Sequence, residues 1–192
     1  MITNKLSKFF AVEIKNLDVR KIPSKETINK ISDILSEYSV VVIRNQNITN
    51  DDHIKFSENF GTLELTKVGT DGSGSKVIIL RNFDKNGNIV SPTDRQRLNN
   101  LANQEWHSDS SFKKIPSKMS ILSAKMIPSL GGNTEFLSMR ASYNALPQEL
   151  KLKIDDKICW HDYSHGRSKI DPNLVTPEEK QALPPVKQKL VL

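Results

Sequence analysis

The chain has 192 residues, of which 36% are hydrophobic and 26% charged, with a formal net charge of +6. That is enough chain for one well-cored soluble domain over residues 1–192, and no run of about 18 apolar residues or signal-type leader marks it for a membrane or for secretion, so the cytoplasm is the expected location. The basic balance raises nucleic acid as a partner, but the lysines are scattered among acids, aromatics are 6%, and no nucleic-acid motif occurs, so a basic surface favouring small anions is the expectation.

Along the chain, Ser24 after Pro23 reads as an N-cap, and Ile28, Ile31, Ile34 and Leu35 follow at helical spacing. The β-branched run from Ser39 to Gln46 predicts a strand buried on both faces. Thr49 and Asp52 form a capping-box pattern for a second helix carrying Ile54, Phe56 and Phe60 and stopping at Gly61. His53 lies inside that helix and reads as a packing or solvated residue. Asn86-Gly87 between two apolar runs predicts a hairpin, and residues 91–103 read as a polar loop.

Further on, "KMSILSAKMIP" and "TEFLSM" read as strands joined by a tight turn at Gly131-Gly132, a place that needs glycine's conformational freedom. Two helical pieces broken at Pro147 follow, then a strand at "KICWHDY". The single cysteine, Cys159, reads as a buried structural thiol. Residues from Ser164 onward predict a long loop that ends in a strand beginning at "VKQKLVL".

The stretch "NQEWHSDSSF" holds His107-x-Asp109. Residues two apart on a strand share a face, so an imidazole and a carboxylate there can close on one ion, a donor pair suited to a cation such as Fe(II). Taken alone the triplet is a weak signal and reads rather as a solvated strand end.

The order "VVVIRNQNIT", "FSENFGTLE", "NQEWHSDSSFKKIPSKMSILSAKMIP" and "GGNTEFLSMRASYNALP" resembles, from about Val40 to the C-terminus, the Fe(II)- and 2-oxoglutarate-dependent dioxygenases of the taurine and 2,4-dichlorophenoxyacetate family. The resemblance implies a mainly β fold with flanking helices, a double-stranded β-helix or jelly roll incomplete at its C-terminus. It makes His107 and Asp109 the first histidine and the carboxylate of the iron triad. Thr134 would help hold the distal carboxylate of 2-oxoglutarate, and Asn103 would line the cosubstrate pocket. On residue type alone Thr134 reads as a structural packing residue. The implied reaction uses Fe(II), 2-oxoglutarate and O2 to hydroxylate a small substrate, releasing succinate and CO2.

The family's distal histidine and arginine lie beyond the block that closes this chain at Leu192, so a C-terminally truncated fragment, inactive alone, is the expectation. His161 and His165 precede that block and read as packing or surface residues. Lys67 and Arg81 are candidates for pairing with an anionic substrate, with plain surface roles as their alternative. A non-catalytic jelly-roll remnant serving as a binding or assembly module is the competing functional reading. A small-molecule substrate, no nucleic acid and no membrane are the partner expectations, with homo-oligomerisation open.

Overall fold

The computed structural model describes residues 1–66, 74–84 and 86–192; Lys67 lies outside the described residues. The chain divides into two compact units, Met1–Leu63 with Ile121–Lys151, and Glu64–Ser120 with Leu152–Leu192.

In the first unit, β1 (Ile2–Lys5) pairs antiparallel with β2 (Val12–Lys15), and β2 pairs in parallel with β3 (Val41–Val42) through Val12–Val41 and Glu13–Val42. Helix α1 (Lys25–Tyr38) starts at the expected Ser24 cap, whose side chain accepts from the Thr27 amide and satisfies one of the orphan donors of the first turn. Its apolar stripe presents Ile28 and Ile31 to the core. Helix α2 (Asn50–Glu58) carries both halves of the Thr49–Asp52 capping box, and Phe56 is buried. Ile14, Val19, Ile31 and Phe56 form the centre of this core, with Ile34, Val41, Phe60 and Ile121 packed on it. Full burial of side chains of this size contributes about 1.5–3 kcal/mol each. His53 takes the packing role expected of it: its Nε2 lies 3.1 Å from the Ile121 carbonyl oxygen.

The strand expected over residues 39–46 is shorter and less buried than the sequence implies. Only Val41 and Val42 pair, both half-buried, and beyond them the chain leaves the sheet so that Gln46 can bracket the 17–19 turn. Gln46 Nε2 donates to the Leu17 carbonyl at 2.9 Å, and Gln46 Oε1 accepts from the Val19 amide at 3.0 Å.

The stretches read as strands at residues 118–128 and 134–139 form no ladder among the described residues. The glycine turn between them stands as expected, with Gly131 and Gly132 at φ 74° and 69°. A Cβ at Gly132 would also meet Pro128 Cγ at 3.0 Å. Helices α4 (Met139–Ala145) and α5 (Gln148–Ile154) fall on either side of Pro147, as the sequence indicates.

The second unit contains α3 (Arg95–Ala102), β4 (Ile158–His161), α6 (Tyr163–Ser168), α7 (Pro177–Ala182) and β5 (Val186–Lys189). β4 and β5 pair antiparallel, from Ile158–Lys189 to His161–Val186. The Asn86-Gly87 turn is present: Gly87 has φ 84°, and a single bridge joins Phe83 to Ile89. Helix α3 replaces the loop expected over 91–103. Its apolar residues Leu98, Leu101 and Ala102 are not buried, and it is held by the Asp94 cap and by polar contacts such as Asn100 Nδ2 to the Arg81 carbonyl at 3.0 Å.

Helices α6 and α7 likewise replace part of the expected C-terminal loop, each started by a capping side chain, Asp162 and Thr176. Arg95 Nη2 meets Glu179 Oε2 at 2.5 Å, which ties α3 to α7. The expectation of a mainly β chain is therefore corrected: helical residues outnumber strand residues among those described, and the two sheets close no barrel. Among the described residues no helix is long and apolar enough to cross a membrane.

Candidate metal centre

His107 and Asp109 lie after the C-terminus of α3 in a segment without helix or strand, which corrects the strand placement inferred from their spacing. The chain turns at once behind them. Ser110 has φ 57°, an uncommon left-handed conformation for a residue with a side chain, and the Lys113 amide closes the turn on the Ser110 carbonyl at 2.9 Å.

The turn brings the two side chains together, with His107 Nε2 3.3 Å from Asp109 Oδ1. Two donors bound about 2.1 Å from one metal at right angles stand about 3 Å apart, so the pair has the separation of neighbouring vertices in an octahedral site. His107 Nδ1 lies 2.6 Å from the Glu105 carbonyl oxygen. A carbonyl only accepts, so Nδ1 carries a proton, and in the neutral imidazole Nε2 is the nitrogen whose lone pair faces the carboxylate. Two facing acceptors repel unless a cation or a second proton stands between them. Ser120 Oγ donates to Asp109 Oδ2 at 2.6 Å, orienting the carboxylate so that Oδ1 is the oxygen facing the imidazole. Both side chains are exposed. Among the described residues no group of three or more His, Cys, Asp or Glu is placed to hold a metal ion. The chemistry of this donor pair nonetheless fits one side of a 2-His-1-carboxylate site.

Asn103 sits in the same unit as the C-cap of α3, four residues before His107, and its Oδ1 accepts from Arg167 Nη2 at 3.3 Å. Thr134 is exposed in an irregular stretch of the other unit. Arg81 is half-buried within the second unit.

The turn is braced by residues that no motif marks. Glu64 accepts from Ser110 Oγ at 3.0 Å, Lys113 Nζ at 2.5 Å and Ser117 Oγ at 2.5 Å. Desolvation raises the Glu64 pKa, but these three donors outweigh it and hold the group below its ordinary value. Gln188 on β5 donates to the carbonyls of Ser111 at 3.3 Å and Lys113 at 2.9 Å.

Cys159 is half-buried on β4 rather than enclosed, because alternate residues of this two-stranded ribbon face water; its Sγ lies 3.2 Å from His161 Nε2. His161 and His165 line an open concavity of about 440 Å³ with Trp160 and Asp162. The Asp162 carboxyl loses some solvation there, yet hydrogen bonds from the Ser164 side chain and amide lower its pKa.

The sequence pattern that defines the family described as "Taurine catabolism dioxygenase TauD, TfdA family" matches residues 3–191. The α-ketoglutarate-dependent 2,4-dichlorophenoxyacetate dioxygenase of Cupriavidus pinatubonensis is 34% identical over 196 residues, covering 100% of this chain and 68% of the relative. The enzyme of the same name from Burkholderia sp. strain RASC is 32% identical over 191 residues, covering 97% of this chain and 64% of the relative. The crystal structure of AAD-2 in complex with Mn(II) and N-oxalylglycine superposes with a TM-score of 0.88 at 36% identity, covering 99% of this chain and 66% of that one. The chain thus spans about two thirds of the length of these relatives.

Proposed function

The chain belongs to the taurine catabolism dioxygenase TauD, TfdA family, and from that premise we propose that it is an Fe(II)- and 2-oxoglutarate-dependent oxygenase that hydroxylates a small anionic organic substrate. In this reading residues 1–192 lie within one dioxygenase domain of the family's jelly-roll fold. The observation that carries the proposal is the approach of His107 Nε2 to Asp109 Oδ1 at 3.3 Å, with the Glu105 carbonyl fixing the imidazole tautomer.

His107 and Asp109 would hold the iron. Bound iron would supply the redox chemistry by which O2 gives one oxygen atom to 2-oxoglutarate, converted to succinate and CO2, and the other to the substrate as its new hydroxyl. The residues of the chain have simpler tasks. The Glu105 carbonyl, accepting from Nδ1, leaves Nε2 as the nitrogen that the neutral imidazole offers to the metal, and Ser120 keeps Asp109 Oδ1 turned towards it. Thr134 and Asn103 offer a hydroxyl and an amide to the cosubstrate, whose carboxylates match such donors.

An anionic substrate is supported by the net charge of +6 and by the two relatives whose names specify 2,4-dichlorophenoxyacetate, an aryloxyacetate. The test is succinate formation from 2-oxoglutarate in the presence of Fe(II) and a panel of aryloxyacetates and alkylsulfonates. Substrate-dependent succinate that disappears in Asp109→Ala supports the reading. Succinate formation that is unaffected by Asp109→Ala refutes it.

A further inference from the structure

Nothing in regular secondary structure holds the segment from Asn103 to Phe112, yet both proposed iron ligands hang from it in exposed positions. Fixing the backbone of one residue costs about 1–2 kcal/mol, so a turn that presents two ligands at a set separation needs supports on either side. One side chain reaches both ends. Arg167, in the last turn of α6, donates through Nη2 to Asn103 Oδ1 at 3.3 Å and through Nε to Asn99 Oδ1 at 3.1 Å, gripping the C-terminal turn of α3 just before the ligand segment begins. The same guanidinium lies 3.9 Å from the centroid of the Tyr163 ring, its i−4 neighbour on α6. Tyr163 is buried, and its ring packs 4.9 Å from that of Phe112, three residues past Asp109.

We propose that Arg167 is a positioning residue for the metal centre: through Asn103 on one flank and the Tyr163–Phe112 stack on the other, it sets the span across which His107 and Asp109 are presented. The inference rests on the assignment of those two residues as ligands. The planar fork of arginine is what the geometry uses, because one guanidinium makes two directed amide contacts while stacking on an aromatic face, and a lysine ammonium cannot do both. Burial lowers the Arg167 pKa from its ordinary value, partly offset by Tyr163 and Glu179; the group is invested in this contact set rather than in solvent.

The experiment is titration of the full chain with Mn(II), followed by the loss of the free-ion electron paramagnetic resonance signal, which requires no turnover. Arg167→Ala raises the dissociation constant about tenfold, in the range seen for outer-shell partners of metal ligands. Arg167→Lys, which keeps the charge and most of the volume, falls between Arg167→Ala and the parent protein. Thr176→Ala, which removes the α7 cap in the same unit, lowers the melting temperature without changing Mn(II) affinity, so a general loss of stability is separable from a loss of positioning. Should Arg167→Ala fail to fold, Arg167→Lys decides alone. Parent-like Mn(II) affinity in a folded Arg167 variant, with binding lost in His107→Ala, overturns the positioning role and leaves the ligand assignment standing. Unchanged Mn(II) binding in His107→Ala overturns the ligand assignment, and the positioning role with it.

Discussion

The Ser120 hydroxyl donates to Asp109 Oδ2 at 2.6 Å, leaving Oδ1 as the oxygen that faces His107. A carboxylate on an exposed turn is otherwise free to rotate about its terminal bond. Ser120→Ala is therefore expected to weaken Fe(II) or Mn(II) binding about tenfold. Ser120 is exposed, so its removal should change unfolding free energy by no more than about 0.5 kcal/mol. Calorimetric titration and denaturant unfolding of the same variant measure the two effects separately.

Glu179 is 7% exposed and carries two duties on one side chain. Its Oε2 closes the capping box on the Thr176 amide at 2.9 Å and receives Arg95 Nη2 at 2.5 Å, so it starts α7 and anchors α3 together. Glu179→Ala should cost about 2–3 kcal/mol, at or below the low end for a broken buried pair, because Arg95 is 38% exposed and water recovers part of its charge. Urea unfolding measures this, and a loss below about 0.5 kcal/mol would mean that α7 docks by other contacts.

Glu64 links stability to pH. Its folded-state pKa lies below the ordinary 4.5, so the folded protein binds this proton less readily than the unfolded chain does. The resulting stabilisation is complete above about pH 5 and is lost as pH falls through the ordinary value towards the depressed one. Glu64→Gln should flatten the acid branch of the stability profile below about pH 5, while lowering stability at neutral pH through weakened contacts to Lys113, Ser110 and Ser117. Melting curves of both proteins from pH 3 to 7 provide the comparison; parallel acid branches would contradict it.

Thr134→Ala tests the cosubstrate assignment. The residue is exposed, so the substitution should leave the melting temperature nearly unchanged while raising the 2-oxoglutarate concentration needed for half-maximal turnover. Thr134→Ser, which keeps the hydroxyl, should restore most of the parent dependence. An unchanged dependence in the alanine variant would place that carboxylate elsewhere.

Local chemistry made some elements readable and hid others. Ser24 and Thr49 cap α1 and α2 where their side chains reach the third helical amide, and these signals lie within four residues of sequence. Pro147 and Gly131-Gly132 acted in the same short-range way. Helix α3 was missed because its apolar set is only Leu98, Leu101 and Ala102, while Arg95, Asn99, Asn100 and the capping Asn103 make polar contacts to distant residues. Helix α7 was legible after all, since Pro177 opens the helix inside a Thr176-x-x-Glu179 capping box, but the surrounding polar composition masked it.

At the site, the resemblance rather than the His-x-Asp spacing singled out the pair, and a turn at Ser110 brings the two side chains together where a strand was expected. Arg167, Glu64 and Gln188 were out of reach of sequence reasoning. Glu64 lies 46 residues from the Ser110 it accepts from, Arg167 lies 64 from Asn103, and Gln188 lies 77 from Ser111, distances at which no local pattern speaks.

The central claim is that His107 and Asp109 bind one metal ion. It is tested most directly by anaerobic titration of the full chain with Fe(II) in the presence of 2-oxoglutarate, following the visible absorption of the metal–cosubstrate chelate. The account predicts that the absorption develops with the parent chain and is lost in both His107→Ala and Asp109→Ala, each still folded. A chain that develops no such absorption, or variants that match the parent, would contradict it.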